Sequence, residues 1–202
     1  MNSSGPLIHG RRFVPYISRE RIAEKVAELA GRISADYAGE RPMLLVVLNG
    51  AMPFAVALMQ QLTVDVELCC IRYASYVGTS STGTGKEVIG LPEKRLKGRR
   101  VIVVEDIVDT GRTIAYLHER LQACGVKDSE VAALTFKRGK YLGTLPIRYI
   151  GFEIEDAFVV GLAWIMTNMA GNIRTFTNWR NRKQDGNDKT TENSTAGPEG
   201  DG

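Results

Sequence analysis

A cluster of acidic and hydroxyl side chains follows a short apolar run near the middle of the chain. The stretch VIVVEDIVDTGRTI, Val101 to Ile114, begins with aliphatic residues and continues with Glu105, Asp106 and Asp109. Adjacent carboxylates can hold sugar hydroxyls directly, or through Mg²⁺, which takes few protein carboxylates and keeps water and substrate oxygens. The pattern predicts a polar binding site where a buried strand ends.

The residues after these acids, DTGRT, are predicted to form the turn into a helix. Its backbone N–H groups, the hydroxyls of Thr110 and Thr113 and the helix N-terminus together suit a phosphate monoester. Asp109 is then left facing the centre of the site. Acids near a helix start are also common simply because they complement the helix dipole, so the three letters DTG alone would indicate little.

Strands and helices alternate around this turn. Ser18 is a predicted N-cap, because apolar residues recur at helical spacing behind it. Further helices are predicted over FAVALMQQL and from Thr113 onward. The predicted strands are MLLVVLNGAM, VELCCIRYASY, VIVV, EVAALTF, IRYIGF and FVVGLAWI. This alternation predicts an α/β fold with a parallel sheet, in which ligands collect at the carboxyl ends of the strands.

Composition narrows the class of protein. The chain has 202 residues, 44% hydrophobic and 24% charged, with a formal net charge of +3, as expected of one globular domain. A nucleic-acid binder is usually more basic, so no nucleic-acid partner is expected. The cysteines lack metal or redox spacing. The N-terminus MNSSGPLIHG has no signal-peptide core and no stretch is long enough to span a bilayer, which predicts a cytoplasmic protein without a membrane partner.

The complete string of apolar run, paired acids and Asp-Thr-Gly-x-Thr resembles the phosphoribosyl-pyrophosphate (PRPP) motif of type I phosphoribosyltransferases. From the first helix to Gly161 the chain is similar to one branch of them, the hypoxanthine-guanine phosphoribosyltransferases of purine salvage. The resemblance implies a type I phosphoribosyltransferase fold, with a parallel core sheet flanked by helices and a small hood. It also implies a Mg²⁺-dependent reaction in which hypoxanthine or guanine and PRPP give IMP or GMP and diphosphate.

The resemblance assigns roles to the residues of the acidic turn. Glu105 and Asp106 are expected to hold the ribose hydroxyls and the metal. Asp109 is expected to be catalytic, accepting or sharing the proton that the attacking purine nitrogen loses. The residues implied in binding PRPP and the ribose phosphate are Glu105, Asp106, Asp109, Thr110, Gly111, Arg112 and Thr113.

Two loops are matched to the diphosphate side of the family site. The family binds pyrophosphate at the turn after the first strand, through a peptide bond that can be cis, here Leu48-Asn49-Gly50. The family often has Lys where this chain has Asn49, so the leaving group must depend more on backbone amides and Mg²⁺. Ser75 and Tyr76 open a Gly/Ser/Thr loop that resembles the mobile flap of the family, which excludes water.

Three later residues are matched to purine recognition. Lys137, at the end of a strand, is expected to hydrogen-bond the oxygen at purine C6 and so to select hypoxanthine and guanine over adenine. Phe158 is expected to stack on the base, and the backbone of Val159 to meet the base edge. An exposed surface lysine and a core phenylalanine are the ordinary alternatives.

The expected organisation is a single phosphoribosyltransferase domain over residues 1–180. The hood would be formed by about 1–16 and 138–180. Residues 181–202 lack aromatic and large aliphatic side chains and are expected to be a disordered polar tail. The family resemblance implies a homodimer or homotetramer.

The resemblance ends at about Leu162. The family continues with Leu-Asp-Tyr and an Arg six residues after the Asp, where this chain has Ile165 and Gly171. A one-base shift of the reading frame repairs the first difference: the only codon of Trp164 ends in G, and with the AT of Ile165 it gives GAT, Asp. The restored codon at Gly171 allows Arg. We therefore hypothesise that residues from about Leu162 are an out-of-frame reading, with genuine divergence of the sequence as the alternative.

Two alternatives of other kinds stay open from the sequence. A non-catalytic PRPP- or nucleotide-sensing regulator of the same fold would be expected to have a basic face and no flap. A phosphoribosyltransferase for another base is the second alternative. Xanthine would be compatible with the site, whereas Lys137 and Phe158 disfavour adenine and the pyrimidines.

Overall fold

The structure, a computed structural model, describes residues 7–8, 11–74, 86–156, 159–160 and 176–179. The strands are β1 Leu7–Ile8, β2 Arg11–Ile17, β3 Met43–Val47, β4 Glu67–Ala74, β5 Lys86–Ile89, β6 Arg100–Val108, β7 Asp128–Phe136, β8 Tyr149–Glu153, β9 Val159–Val160 and β10 Phe176–Trp179. The helices are α1 Arg19–Asp36, α2 Met52–Met59, α3 Glu93–Leu96 and α4 Arg112–Ala123, with a 3₁₀ turn at Arg138–Lys140.

A six-stranded core sheet has the order β5-β4-β3-β6-β7-β8. Strands β4, β3, β6, β7 and β8 are parallel, and β5 pairs with β4 antiparallel at one edge. Every residue of β3 is buried, as expected of a central strand that is covered on both faces. The parallel α/β architecture predicted from the sequence is confirmed.

Helices cover both faces of this sheet. Helix α1 begins at the predicted cap, where the Ser18 hydroxyl accepts a hydrogen bond from the Arg21 N–H at 3.3 Å. Its buried face, which includes Val26 and Leu29, packs with α2 against one side of the sheet. Leu117 and Leu121 of α4 pack against the other side. An apolar layer therefore packs on each face of the core sheet and holds the carboxyl ends of its strands in place.

A second sheet joins two early strands with two late strands in the order β1-β2-β10-β9. We call this four-stranded sheet the hood. Its strand β10 was not anticipated, because FTNW is a short run inside a polar sequence, yet it pairs antiparallel with both β2 and β9. Strand β8 falls in the range predicted for the hood but lies in the core sheet, where it pairs parallel with β7.

Several boundaries differ from those predicted. Strand β6 does not end before the acids but continues through them, pairing Glu105 with Ala133 and Val108 with Phe136 of β7. Strand β5 and helix α3 were not predicted, because both are short and follow a Gly/Ser/Thr-rich loop. Within the described residues, no helix combines the length and apolar character needed to cross a membrane.

Candidate active site

The paired carboxylates lie in the last half of β6, at the centre of the core sheet. Glu105 is 8% exposed, and Asp106 is partly buried beside it. The Asp106 Oδ1 atom accepts the Ile107 N–H at 3.0 Å, and the Asp106 carbonyl accepts the Thr135 hydroxyl of β7 at 2.8 Å. Glu105 is thus held by strand pairing with β7, and Asp106 is held by these two hydrogen bonds.

The electrostatics of this pair are unfavourable for two free carboxylates. Burial raises the pKa of Glu105 well above its ordinary value, and the negative charge of Asp106 raises it further. Burial also raises the pKa of Asp106, against the lowering effect of a hydrogen bond with Glu105. A cation or a set of ligand hydroxyls at this position would relieve the repulsion.

The loop after β3 approaches the same carboxylates. The Leu48–Asn49 peptide is cis, and the Leu48 N–H donates to the carbonyl of Ile71 on β4 at 2.8 Å. A Cβ atom added to Gly50 would lie 2.6 Å from Cγ of Asp106, so a side chain cannot be placed there without a shift. The predicted pyrophosphate loop and the paired acids therefore form one cluster.

The turn after β6 is built around a glycine with positive φ. Gly111 is the N-cap of α4 with φ of 82°, a conformation that other residues rarely adopt. The ring of Tyr141 lies against it, so a Cβ atom at Gly111 would come within 2.7 Å of the Tyr141 Cδ2 atom. The Thr110 carbonyl accepts the Leu142 N–H at 3.2 Å. Arg112 and Thr113 are the first residues of α4. The predicted phosphate-binding turn therefore forms the N-terminus of this helix.

Asp109 belongs to a group of two acids and two lysines at the ends of β6 and β7. The Lys137 side chain is 8% exposed, and its Nζ contacts Asp109 Oδ2 at 3.4 Å and Asp156 Oδ1 at 3.1 Å. Lys140 contacts the same two oxygens at 3.3 and 3.4 Å. Lys137 is the main cause that lowers the pKa of Asp156, and Asp109 is the main cause that raises the pKa of Lys140.

Sequence reasoning did not single out Lys140 or Asp156. Lys140 follows Lys137 by one 3₁₀ turn, which returns its side chain to the same acids, but that turn has no clear sequence signal. Asp156 precedes the matched Phe158 by two positions, and this proximity is the signal that could have found it.

Some of the predicted site residues cannot be placed. Ser75, Tyr76 and Phe158 lie outside the described residues, as does the altered stretch 161–175. Val159 is described as part of the backbone of β9 in the hood. The structure thus brings together the predicted residues of the first strand loop, the acidic turn and the end of β7.

The donor set fits magnesium. The described residues contain no group of three or more His, Cys, Asp or Glu side chains arranged to hold a metal ion. Mg²⁺, however, is commonly bound by one or two carboxylates together with water and substrate oxygens. Glu105 and Asp106, whose pKa values are both raised, supply two carboxylates and a local need for positive charge.

Comparisons with known proteins agree with this geometry. A family model described as "Phosphoribosyl transferase domain" matches residues 17–165. The chain is 36% identical over 146 residues to a hypoxanthine-guanine phosphoribosyltransferase of Lactococcus lactis, covering 72% of this chain and 79% of that relative.

Two solved structures extend the similarity. A hypoxanthine-guanine phosphoribosyltransferase from Bacillus anthracis superposes with a TM-score of 0.75 at 32% identity, over 81% of this chain and 96% of the other. The second structure concerns the role of the C-terminal region in the oligomeric state and enzymatic activity of Trypanosoma cruzi hypoxanthine phosphoribosyl transferase. It superposes with a TM-score of 0.76 at 25% identity, over 87% and 95% of the two chains.

Proposed function

The chain belongs to the phosphoribosyl transferase domain family, and from that premise we propose that it is a purine-salvage enzyme. It transfers the ribose 5-phosphate of PRPP to hypoxanthine or guanine, giving IMP or GMP and diphosphate. The observation that carries the proposal is the contact of the Asp109 carboxylate with the buried Lys137, next to a turn suited to phosphate. Transfer requires a proton acceptor, which Asp109 provides. Base selection requires a hydrogen-bond donor for the purine oxygen, which Lys137 provides.

The sugar phosphate is held by the end of β6 and the start of α4. Backbone N–H groups of the turn at Thr110 to Thr113 bind the 5-phosphate, because a helix N-terminus favours an anion. Glu105 and Asp106 bind the ribose hydroxyls. Glu105 lies in the part of β6 that pairs with β7, so the backbone beside these carboxylates is fixed while the bond to diphosphate breaks.

The purine is held from the β7 side. Lys137 donates to the oxygen at C6, which hypoxanthine and guanine have and adenine lacks. Phe158 stacks on the ring, and the Val159 backbone contacts the base edge. Because the Lys137 side chain is nearly buried and paired with two carboxylates, a purine oxygen must compete with Asp109 and Asp156 for this ammonium rather than with water.

The reaction breaks the bond between C1 of the ribose and the diphosphate oxygen, whose electron pair leaves with diphosphate. A purine ring nitrogen forms the new bond to C1, and Asp109 accepts the proton which that nitrogen loses. In the loop at Leu48 to Gly50, the backbone N–H groups of Asn49 and Gly50 bind the diphosphate oxygens, and the Ser75-Tyr76 flap excludes water. Mg²⁺, when bound at Glu105 and Asp106, supplies positive charge for the diphosphate oxygens.

A PRPP-dependent synthesis assay with hypoxanthine, guanine, xanthine, adenine and uracil tests the proposal. We expect IMP formation to be most efficient, GMP formation to be second, and adenine and uracil to give no product. The assay is run with and without Mg²⁺, on this chain and on a frame-restored chain. Failure of both chains with every base would overturn the proposal. Tight nucleic-acid binding in a parallel gel-shift assay would then favour the regulator.

The reading-frame hypothesis is part of this proposal. The family model ends its match at residue 165, close to the predicted point of the shift at Leu162. Resequencing the codons of this region, together with an intact mass of the natural protein, tests it. An unshifted gene and a mass equal to that of this chain would contradict the hypothesis.

We also propose that the enzyme acts in the cytoplasm as a homodimer or homotetramer. Support comes from the resemblance to the family and from the T. cruzi relative, in which the oligomeric state was itself a subject of study. Light scattering coupled to size-exclusion chromatography measures the assembly, and a monomer at micromolar concentration would contradict it.

A further inference from the structure

Lys140 shares both of its carboxylate partners with Lys137, although the proposed reaction gives it no role. Each lysine contacts the same oxygen of Asp109, at 3.4 Å from Lys137 and 3.3 Å from Lys140. Each also contacts the same oxygen of Asp156, at 3.1 and 3.4 Å. Each lysine therefore bridges the two carboxylates. If one lysine moves away, the other still contacts both acids.

The backbone that carries Lys140 is fixed against the phosphate turn on both sides. The Lys137 N–H donates to the Val108 carbonyl at 3.0 Å, and the Leu142 N–H donates to the Thr110 carbonyl at 3.2 Å. Between them, the Tyr141 ring lies against Gly111, and its hydroxyl donates to the Leu145 carbonyl at 2.7 Å. The approach of Lys140 to Asp109 is thus built into the fold.

The two oxygens of the Asp109 carboxylate have different surroundings. Both lysines contact Oδ2, whereas Oδ1 is buried and has no hydrogen-bond partner within the described part of the chain. An acceptor without a donor is costly, and a proton from a ligand would satisfy it. The two lysines therefore anchor the carboxylate through Oδ2 alone.

We infer that Lys140 is a positioning residue that keeps Oδ2 of Asp109 anchored when Lys137 turns to the purine oxygen. The carboxylate then keeps one orientation while it receives the proton of the purine nitrogen. The inference rests on the proposed function, because it needs a ligand that draws Lys137 away from Asp109. It adds to that function a division of labour in which Lys137 selects the base and Lys140 orients the acceptor.

The exposure of the Lys140 and Asp109 side chains makes it possible to distinguish a positioning role of Lys140 from a role in folding. Lys140 is 41% exposed and Asp109 39%, and ion pairs at such positions contribute little to folding. Removing the Lys140 charge should consequently leave the thermal midpoint nearly unchanged. The loss should be found in kcat, because misplacing a reacting group slows the chemical step.

The experiment compares three variants with the parent enzyme in PRPP-dependent IMP synthesis. Lys140→Met removes the charge at similar length, Lys140→Arg keeps it, and Lys127→Met removes the charge of an exposed lysine just before β7. We expect Lys140→Met to lower kcat about tenfold, less than the largest losses that misplacement causes. The KM for hypoxanthine should stay within about twofold of the parent value. Lys140→Arg should recover most of kcat, and Lys127→Met should match the parent.

A Lys137→Met variant completes the comparison, since it should raise the KM for hypoxanthine. An unchanged kcat in Lys140→Met beside an active parent would overturn the inference and leave the proposed function intact. Equal losses in Lys140→Met and Lys140→Arg would also overturn it, because charge would then not matter. A parent that makes no nucleotide from any purine, even with its frame restored, would overturn both.

Discussion

The two ends of the core sheet treat their acidic residues in opposite ways. At the amino end of β4, Glu67 pairs with Arg95 and Arg99, and hydrogen bonds from these two arginines lower its pKa to about 2. At the amino end of β6, Arg100 donates to Asp128 at 2.8 Å. Acids and guanidinium groups are therefore matched where the sheet begins.

At the carboxyl end the acids lack this compensation. Glu105 and Asp106 are buried next to each other, and the pKa of each is raised. Native proteins break rules of local consistency mainly at functional sites. The contrast indicates that the amino end serves folding and the carboxyl end is prepared for a ligand.

The largest expected difference between the two ends comes from neutralising one acid at each. Asp109→Asn should lower kcat by about 100- to 1000-fold, because it removes the proton acceptor, with little change in stability. Asp128→Asn should leave kcat unchanged and reduce the free energy of unfolding by less than about 1 kcal/mol, since Asp128 is 40% exposed. Steady-state kinetics and urea denaturation measure both, and equal kcat values in the two variants would break the comparison.

Backbone approach gives the second contrast, between Gly50 and Gly31. A methyl group at Gly50 meets the Asp106 carboxylate, whereas one at Gly31 in α1 meets nothing within 4 Å. Gly50→Ala should cost about 1–3 kcal/mol of stability, because the cluster must move apart. It should also lower nucleotide synthesis. Gly31→Ala should instead stabilise the protein by about 0.5–1 kcal/mol, as alanine does in a helix interior. Denaturation curves of the two variants measure these changes in stability. If Gly50→Ala left stability and nucleotide synthesis unchanged, the close approach of Gly50 to Asp106 would not be required.

Much of the fold could be predicted from the sequence because its signals are local. The all-apolar run of β3 and the Ser18 cap both depend on neighbours in the chain, and both were predicted. Strand β10 could not be predicted, since four residues in a polar context become a strand only when β2 and β9 are present to pair with them. A short strand of this kind depends on its tertiary partners.

The site shows the same limit. Gly50 and Asp106 are far apart in sequence, and each belongs to a motif that was recognised, but their contact follows from the adjacency of β3 and β6. The position of Lys140 depends on a 3₁₀ turn after β7, which returns its side chain to Asp109. Motifs predict which residues act, whereas pairing order decides which of them meet.

A third prediction concerns the stability of the protein when the charge of Glu105 is removed. Glu105→Gln removes a buried carboxyl group whose pKa is raised well above its ordinary value, and it should raise the free energy of unfolding near pH 8 without Mg²⁺. The sign follows from a folded-state pKa raised above the ordinary value, so the group favours folding at low pH and opposes it as pH rises. Nucleotide synthesis should fall in the same variant. Destabilisation by Glu105→Gln at that pH would show that this acid is not under strain.

The smallest effect concerns Glu67, whose folded pKa of about 2 lies below its ordinary value of 4.5. Its contribution to stability is present above pH 4.5 and lost as the pH falls toward 2, so the deficit of Glu67→Gln relative to the parent should disappear over that range. Urea denaturation of both proteins at a series of pH values measures this loss. The gain in free energy of unfolding expected for Glu105→Gln should also disappear on acidification. It has the opposite sign to the Glu67→Gln deficit and should disappear at higher pH. If the two differences instead had the same sign at neutral pH, the opposition between the ends of the sheet would be wrong.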